Sequence, residues 1–262
     1  MMKVEIDNLQ FGYNPKVPVI KGVSYTIDKP EFVCLMGPNG VGKSTLIHCL
    51  NKILKPTGGH VYIDEKDVEE YKLKELASHM GYVPASSNDA FPLTVVDTIM
   101  VGLQNDYRFG TGRDDLQKVY DVLELFGIEH LAMRNFNELS AGQHQKVMLA
   151  RGLVRMPEIV LLDEPTSNLD IKHQLQVTKV LSELPGKKGM TVIMISHDIN
   201  ITAKYADRII LIHNGILYAD GSPKDVLTRD NIRTVYGVDA DVIDVNGRPH
   251  IILNEAIEDS KE

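Results

Sequence analysis

The sequence predicts an α/β protein with a mostly parallel core sheet, an antiparallel β subdomain at its start and a helical subdomain inserted later. Three observations indicate this class. A short apolar run at 31–36 leads through glycines into a segment with helical spacing. Continuous apolar runs at 159–162 and 191–195 are flanked by helical segments, as buried parallel strands are. Two segments within the first 27 residues alternate apolar and polar positions, which is typical of half-buried strands.

The individual elements follow from these patterns in chain order. Strands are expected around Val4, Ile6 and Leu9 and around Val23, Tyr25 and Ile27. The remaining predicted elements are a strand at Glu31–Met36, a helix at Lys43–Leu54, a helix at Arg113–Phe126 capped by Gly127, and strands at Ile159–Leu162, Thr191–Ile195 and Ile209–Ile212. We expect a main domain at 2–238, with the helical insertion at about 91–155, and a smaller C-terminal appendage at 239–262.

Composition excludes several classes of protein. The 262 residues are 43% hydrophobic and 24% charged, enough for a sizeable core. The net charge of -8 argues against a broad surface for nucleic acid. No apolar run approaches the roughly 18 residues of a spanning helix, so we expect any membrane role to come through a partner. Cys34 and Cys49 lie in apolar stretches, which favours buried thiols in a reducing, cytoplasmic compartment.

A glycine-rich loop carries the strongest chemical signal. It has the spacing glycine, four residues, then glycine, lysine and serine, and its residues are Gly37, Pro38, Asn39, Gly40, Val41, Gly42, Lys43, Ser44 and Thr45. Backbone N–H groups in such a loop point inward at phosphate oxygens, and the helix N-terminus adds a positive dipole end. We therefore predict that the loop binds ATP, with Lys43 at the β and γ phosphates and Ser44 on Mg²⁺.

Two carboxylates follow a buried strand, at the sheet edge where ligands bind in α/β folds. Asp163 is the expected partner of Mg²⁺, and Glu164 is expected to polarise the attacking water. His197 also follows an apolar strand, and this position favours a contact with the γ-phosphate. Ser140 is well placed to cap a helix that runs to about Arg155, although its segment alone is also compatible with an ordinary helix start.

Taken together, the motifs GPNGVGKST, LSAGQ, IVLLDEP, SNLD and ISHD resemble the ATP-binding subunit of ABC transporters, in the expected order and over nearly the whole chain. The resemblance implies the P-loop NTPase fold of an ABC cassette. It also implies a head-to-tail homodimer that sandwiches two ATP molecules. The signature acting across this dimer would be Ser140, Ala141, Gly142 and Gln143, and Asp170 would lie at the interface. Tyr13 would stack on adenine, although a tyrosine in such a turn can equally be packing.

Within that family the chain is most similar to the branch that imports iron chelates, siderophores, haem and cobalamin. The segments that carry this similarity are 91–95, 167–174, 235–238 and 247–250. The resemblance implies two integral-membrane permease subunits, an extracytoplasmic substrate-binding protein that acts indirectly, and a peripheral location on the cytoplasmic face of the cell membrane. Alternatives are a soluble ABC-type ATPase and a regulatory module that barely hydrolyses ATP.

Two positions depart from the family pattern. Ala85 stands where the family places a glutamine that touches magnesium and the attacking water, so Ser86, Ser87, Asn88 or a water must supply that contact if it is made. Ala141 replaces a usual glycine, and its methyl group is tolerable only if the backbone avoids the left-handed region.

Overall fold

A computed structural model describes residues 2–14, 16–85, 93–103 and 112–257. Its strands are β1 (Val4–Phe11), β2 (Ile20–Ile27), β3 (Phe32–Met36), β4 (Gly58–Ile63), β5 (Lys66–Asp67), β6 (Met80–Val83), β7 (Ile159–Leu162), β8 (Thr191–Ile195), β9 (Arg208–His213), β10 (Ile216–Gly221), β11 (Val238–Val245) and β12 (Arg248–Ala256). Its α-helices are α1 (Lys43–Leu50), α2 (Leu73–His79), α3 (Val95–Val101), α4 (Arg113–Phe126), α5 (Ala141–Leu153), α6 (Ile171–Lys188), α7 (Ile199–Tyr205), α8 (Pro223–Val226) and α9 (Arg229–Tyr236).

The central sheet has the strand order β10-β9-β3-β8-β7-β6. Every neighbouring pair from β9 to β6 is parallel, and only β10 runs antiparallel to its neighbour. A second, antiparallel sheet has the order β2-β1-β4-β5. The prediction of a mostly parallel core with an antiparallel β region at the start of the chain is confirmed. The parallel order brings the loops after β3, β7 and β8 to one edge of the sheet.

Two hydrophobic cores lie on opposite faces of the central sheet. Alternate residues of β3 divide between them: Cys34 belongs to the core that the inserted helices and α6 cover, whereas Val33 belongs to the core under α1 and the antiparallel sheet. Strands buried on both faces explain the continuous apolar runs in the sequence. Cys34 and Cys49 are both buried and free, as predicted.

The middle of the described chain is helical. Helices α3, α4 and α5 all lie between β6 and β7, and α4 has the predicted bounds, with Gly127 as a left-handed cap at φ 63°. The bounds 91–155 for the insertion and 2–238 for the main domain remain predictions. Phe91 and Pro92 lie outside the described residues. After α9, β11 and β12 form a separate two-stranded antiparallel sheet.

The prediction for the first helix was wrong at its C-terminal end. Helix α1 stops at Leu50, and the next residues turn, with Lys52 at φ 60°. The Lys52 ammonium donates to the carbonyls of Glu69 and Tyr71, which anchors the chain away from the helix axis. Leu54 still packs against the core, but from a loop, so its helical spacing was coincidental. None of the helices in the described part of the chain is long and apolar enough to cross a membrane.

Candidate active site

The glycine-rich loop connects β3 to α1, and its backbone needs glycine at specific positions. Gly37 has φ 142°, and a Cβ atom there would lie 2.1 Å from the Ile212 carbonyl oxygen on β9. Gly42 has φ 104° and directly precedes the helix. Side chains other than glycine rarely adopt these angles. The loop therefore passes close to β9 and ends at the N-terminus of α1, a position that favours a bound anion.

Lys43 lies over the loop rather than in solvent. Its Nζ atom donates hydrogen bonds of 2.8 Å to the carbonyl oxygens of both Gly37 and Pro38. Burial lowers the pKa of this ammonium, while the charges of Glu164 and Asp163 act in the opposite direction. A cation held at the mouth of a loop of backbone N–H groups is suited to an anionic phosphate chain.

Ser44 and Asp163 meet across the sheet edge. The Ser44 hydroxyl donates to Asp163 Oδ1 at 3.0 Å. Asp163 is only 6% exposed, and burial raises the pKa of its carboxyl above the usual value, against the opposing effect of the Ser44 hydrogen bond. A hydroxyl and a carboxylate fit Mg²⁺, which takes oxygen ligands and is commonly held by one or two carboxylates together with substrate phosphates.

Glu164 and His197 form a second pair at the same edge. His197 Nε2 lies 2.6 Å from Glu164 Oε1, and both side chains are partly exposed. Glu164 has φ 49°, so the backbone turns immediately after Asp163, whose N–H still donates to Val83 on the neighbouring strand. The two adjacent carboxylates consequently have different partners, Ser44 for Asp163 and His197 for Glu164.

A cavity of about 240 Å³ joins the loop to Glu164. Its lining residues are Tyr13, Val19, Asn39, Gly40, Gly42, Lys43, Ser44, Thr45 and Glu164. The Tyr13 side chain is 68% exposed, lies edge-on to Phe11 and places its hydroxyl 3.3 Å from Thr45 Oγ1. A ring this exposed at the rim of the cavity is available for stacking on a ligand.

The predicted signature residues form a separate structure at the start of α5. The Ser140 side chain accepts from the Gln143 N–H, and Gln143 Oε1 accepts from the Ser140 N–H. Ala141 is the first residue of the helix and has no left-handed φ, so its methyl group is tolerated as expected. None of these four residues is among those that line the 240 Å³ cavity. Within one chain, the signature does not meet the phosphate loop.

Gly142 of α5 lies next to the ring of His173, which in turn contacts Asp170. A Cβ atom on Gly142 would lie 3.0 Å from the His173 ring. The same ring holds its Nδ1 atom 2.8 Å from Asp170 Oδ2, and Asp170 caps α6 by accepting from the His173 N–H. The predicted signature and interface residues are therefore neighbours on one surface. His173 is a contact between them, and the sequence analysis noted it only as part of the resembling segment 167–174.

Tyr236 is a further residue to which sequence reasoning assigned no role. It ends α9, and its hydroxyl lies near the backbone of Gly37 in the phosphate loop, which acts to lower the pKa of the hydroxyl. Burial raises the pKa of this hydroxyl to about 12. The segment 235–238 was noted only as part of a family resemblance, and no local pattern indicates contact with a loop about 200 positions earlier. Ala85 ends a described segment, and Ser86, Ser87 and Asn88 lie outside the described residues.

Comparisons with known proteins agree with this geometry. A family model described as ABC transporter matches residues 20–167. An uncharacterized ABC transporter ATP-binding protein of Methanocaldococcus jannaschii is 37% identical, over 96% of this chain and 98% of that protein. The hemin import ATP-binding protein HmuV of Hahella chejuensis is 34% identical, covering 90% of this chain and 94% of its own. The ferric enterobactin transport ATP-binding protein FepC of Escherichia coli is 34% identical, covering 94% and 92%.

Solved structures give the same result. A transporter in an inward-facing conformation, described as of metal-chelate ABC type, superposes with a TM-score of 0.84 at 25% identity, over 97% of this chain and 98% of that chain. Residues 20–167, which match the ABC transporter family model, contain the phosphate loop, the Ser44–Asp163 contact and Glu164. The chain therefore belongs to the family of ATP-binding subunits of ABC transporters, cassettes that bind ATP and hydrolyse it to power transport.

Proposed function

We propose that Mg²⁺-ATP binds in the 240 Å³ cavity and is hydrolysed there with Glu164 as general base. The observation that carries this proposal is that the Ser44–Asp163 contact of 3.0 Å and the Glu164–His197 contact of 2.6 Å lie at the same sheet edge as the loop. Backbone N–H groups of residues 37–45 hold the phosphates, and Lys43 neutralises the β and γ oxygens. Tyr13 stacks on the adenine.

In this proposal the residues at the sheet edge have distinct tasks. Ser44 and Asp163 would hold Mg²⁺, which supplies charge neutralisation on the phosphates when bound. Glu164 accepts the proton of the attacking water through a carboxylate that is partly exposed to it. His197 keeps Glu164 oriented through the 2.6 Å contact and faces the γ-phosphate. The exposure of both side chains leaves room for water between them and the nucleotide.

The catalytic unit is proposed to be a head-to-tail homodimer. Ser140, Gly142 and Gln143 lie away from the cavity of their own chain, and only a second copy can bring this surface to the nucleotide. Asp170 shares that surface through His173, so it would reach the same interface. The N-terminus of α5 then faces the γ-phosphate across the dimer, where its dipole favours an anion.

The transported compound is proposed to be an iron chelate, such as an iron(III)-siderophore or haem, or the related metal chelate cobalamin. Support comes from the relatives named for hemin import and ferric enterobactin transport and from the solved metal-chelate type transporter. We infer that the dimer sits on the cytoplasmic face of the cell membrane, attached to two permease subunits, with an extracytoplasmic substrate-binding protein acting indirectly. These relatives favour a transport subunit over a soluble ATPase or a regulatory module, and the net charge of -8 is unfavourable for nucleic acid.

One purification tests this assignment. The chain is tagged and isolated with its native membrane in detergent, and the co-purifying integral-membrane subunit is identified by mass spectrometry. In proteoliposomes supplied with binding protein, we expect ATP-dependent uptake of a radiolabelled ferric siderophore, haemin or cobalamin, and ATPase activity that rises with uptake. Isolation without any membrane subunit, together with unchanged ATPase activity in membranes, would support the soluble alternative instead.

A further inference from the structure

The C-terminal hairpin β11–β12 contacts both ends of α7, the short helix that follows His197. Helix α7 begins two residues after the histidine, with Asp198 as its cap. It has seven residues, too few for a helix to be stable alone, so its position depends on what it packs against. Upstream, the Ser196 N–H donates to Leu35 on β3, which fixes the chain on the strand side of His197. On the C-terminal side of His197, the position of the chain depends on the position of α7.

Asn200 ties the first turn of α7 to the hairpin. Its Nδ2 atom donates to the Ile251 carbonyl oxygen at 3.0 Å, and its Oδ1 atom accepts from the Ile251 N–H at 2.8 Å. Ile251 is in β12, whose outer edge would otherwise leave backbone groups unpaired. A side-chain amide that satisfies both groups of one residue defines position and orientation, because both hydrogen bonds must keep their geometry.

Arg248 ties the last turn of the same helix. One guanidinium nitrogen donates to the Ala206 carbonyl oxygen at 2.5 Å and approaches the Ala203 carbonyl oxygen at 3.5 Å. These are carbonyls that a helix leaves without intrahelical partners at its end, and a cation there also complements the dipole. The contacts of Asn200 with Ile251 and of Arg248 with Ala206 therefore hold both ends of α7 on a single hairpin.

The turn of the hairpin places Arg248. Asn246 and Gly247 have φ 55° and 79°, the values of a two-residue type I′ turn, which pairs Val245 with Arg248. The segment Gly247–His250 was noted in the sequence only as part of a family resemblance. In the structure it forms the end of the turn and carries Arg248 to α7. A groove of about 550 Å³ opens between α6, α7 and the hairpin, with Ile201 and Val245 among its lining residues. Ala203 and Ala206 at the end of α7 share a buried core with Ile251 of β12, so apolar packing joins the helix to the hairpin, and the hydrogen bonds fix how the helix is oriented on it.

We propose that Asn200 and Arg248 are positioning residues for ATP hydrolysis, because they clamp α7 so that His197 stays in contact with Glu164. This inference rests on the proposed function of Glu164 and His197. The contact to be maintained is short, 2.6 Å between His197 Nε2 and Glu164 Oε1, and its two partners follow different strands. A rotation of α7 would lengthen this contact without altering the phosphate loop.

The test uses the full chain with Mg²⁺-ATP and compares Asn200→Ala, Arg248→Ala and Arg248→Lys. We expect kcat to fall about tenfold for each alanine variant, because a small displacement of a catalytic group is costly. KM for ATP should stay within about twofold, because the nucleotide-binding loop is untouched. Arg248→Lys retains a donor and a charge at the helix end, so its kcat should lie between those of Arg248→Ala and the parent chain.

Arg229→Ala is the matched control. Arg229 binds Asp239 at the other end of the hairpin, between α9 and β11, and does not touch α7. It should lose a similar amount of thermal stability while keeping kcat. If Arg229→Ala lowers kcat as much as Arg248→Ala does, general loosening of the hairpin explains the result and the clamp is refuted.

His197→Ala separates failure of this inference from failure of the proposed function. In single-turnover measurements of residual activity, adding Asn200→Ala to His197→Ala should cause no further loss, because the clamp acts through the histidine. Full additivity of the two changes would refute the clamp. Wild-type kcat in Asn200→Ala and Arg248→Ala, with His197→Ala impaired, would also refute it but leave the site intact. Wild-type kcat in His197→Ala itself would overturn the proposed function.

Discussion

His197 Nε2 lies 2.6 Å from Glu164 Oε1, and a comparable pair lies at the opposite end of β7, where His79 Nδ1 is 3.2 Å from Glu158 Oε1. The two glutamates flank the same buried strand, Glu158 before it and Glu164 after it in sequence. Only Glu164 shares the edge with the phosphate loop. The sheet therefore provides a carboxylate–imidazole pair at the site and an internal control away from it.

We expect Glu164→Gln to bind ATP with nearly unchanged affinity and to lose most of its turnover, about 100-fold or more, because an amide cannot accept the proton of the attacking water. With hydrolysis blocked, an ATP-bound dimer should accumulate on a sizing column. Phosphate release and dimer formation are measured with Mg²⁺-ATP. Glu158→Gln serves as the control and should keep the parental rate, since it changes the same kind of pair outside the site. Undiminished phosphate release by Glu164→Gln would remove this residue from its role.

The strand ends were predictable because each carries a local signature. The run at 159–162 is apolar without a break, which is typical of a strand buried on both faces, and in a parallel sheet its end lies at the same edge as the end of β3, with β8 between them. Helix α5 was predictable from Ser140, whose cap pairs with Gln143 three positions later. These features depend only on nearby residues and on general rules of parallel sheets.

Other features depend on contacts between distant segments, which no local pattern encodes. The end of α1 is set by the carbonyls of Glu69 and Tyr71, which capture Lys52. Tyr236 lies near Gly37 although about 200 positions separate the two residues in sequence. His173 matters because α6 passes beside Gly142 on α5. Helical spacing could not foresee any of these, since each is decided by how elements pack.

Asp163→Asn is expected to raise the thermal stability of the nucleotide-free chain at neutral pH. Burial holds the pKa of Asp163 above its usual value of 3.8. At a pH between 3.8 and the folded-state pKa, the folded chain therefore keeps a proton that the unfolded chain has lost. The contribution of the protonated carboxyl to the free energy of unfolding is complete below pH 3.8 and disappears as pH rises through the folded-state pKa. At neutral pH the buried charge is a cost, and asparagine removes it while still accepting from Ser44.

The expected rise in Tm is about 2 to 4 °C for a change on the order of 1 kcal/mol. Melting curves between about pH 4.5 and pH 8 should show the two chains converging as pH falls. Saturating Mg²⁺-ATP should reverse the order, because only the carboxylate is an anionic ligand for the metal. A variant less stable than the parent chain at every pH without nucleotide would contradict the burial argument.

Gly37→Ala and Gly40→Ala test how close the loop lies to β9. Both glycines have left-handed φ, 142° and 80°, so both variants incur backbone strain of about 1 kcal/mol. Only at Gly37 would the new methyl group also collide with a backbone atom, the Ile212 carbonyl oxygen at 2.1 Å, whereas at Gly40 it would meet nothing within 4 Å. We expect Gly37→Ala to lose about 2 kcal/mol more unfolding free energy than Gly40→Ala. Equal midpoints in urea for the two variants would show that the loop relaxes freely.

Gly142→Ala tests whether the signature helix acts on Asp170 through His173. The added methyl group would lie 3.0 Å from the His173 ring, which must move by a few tenths of an ångström and carry its 2.8 Å contact with Asp170 along. We expect kcat to fall about three- to tenfold. Gly186→Ala is the control, because this glycine lies in α6, the helix that also carries His173, and a methyl group there meets nothing within 4 Å.

A double-mutant cycle locates the effect. His173→Ala removes both the ring and its contact with Asp170, so this variant should itself be slower than the parent chain. If the methyl group of Gly142→Ala acts by displacing the ring, it has nothing left to displace once the ring is absent. The second substitution should then cost less than about 0.5 kcal/mol in activation free energy, a rate change of about twofold. An equal loss from Gly142→Ala with and without the histidine ring would assign the effect to the signature helix alone, acting directly on the partner's nucleotide.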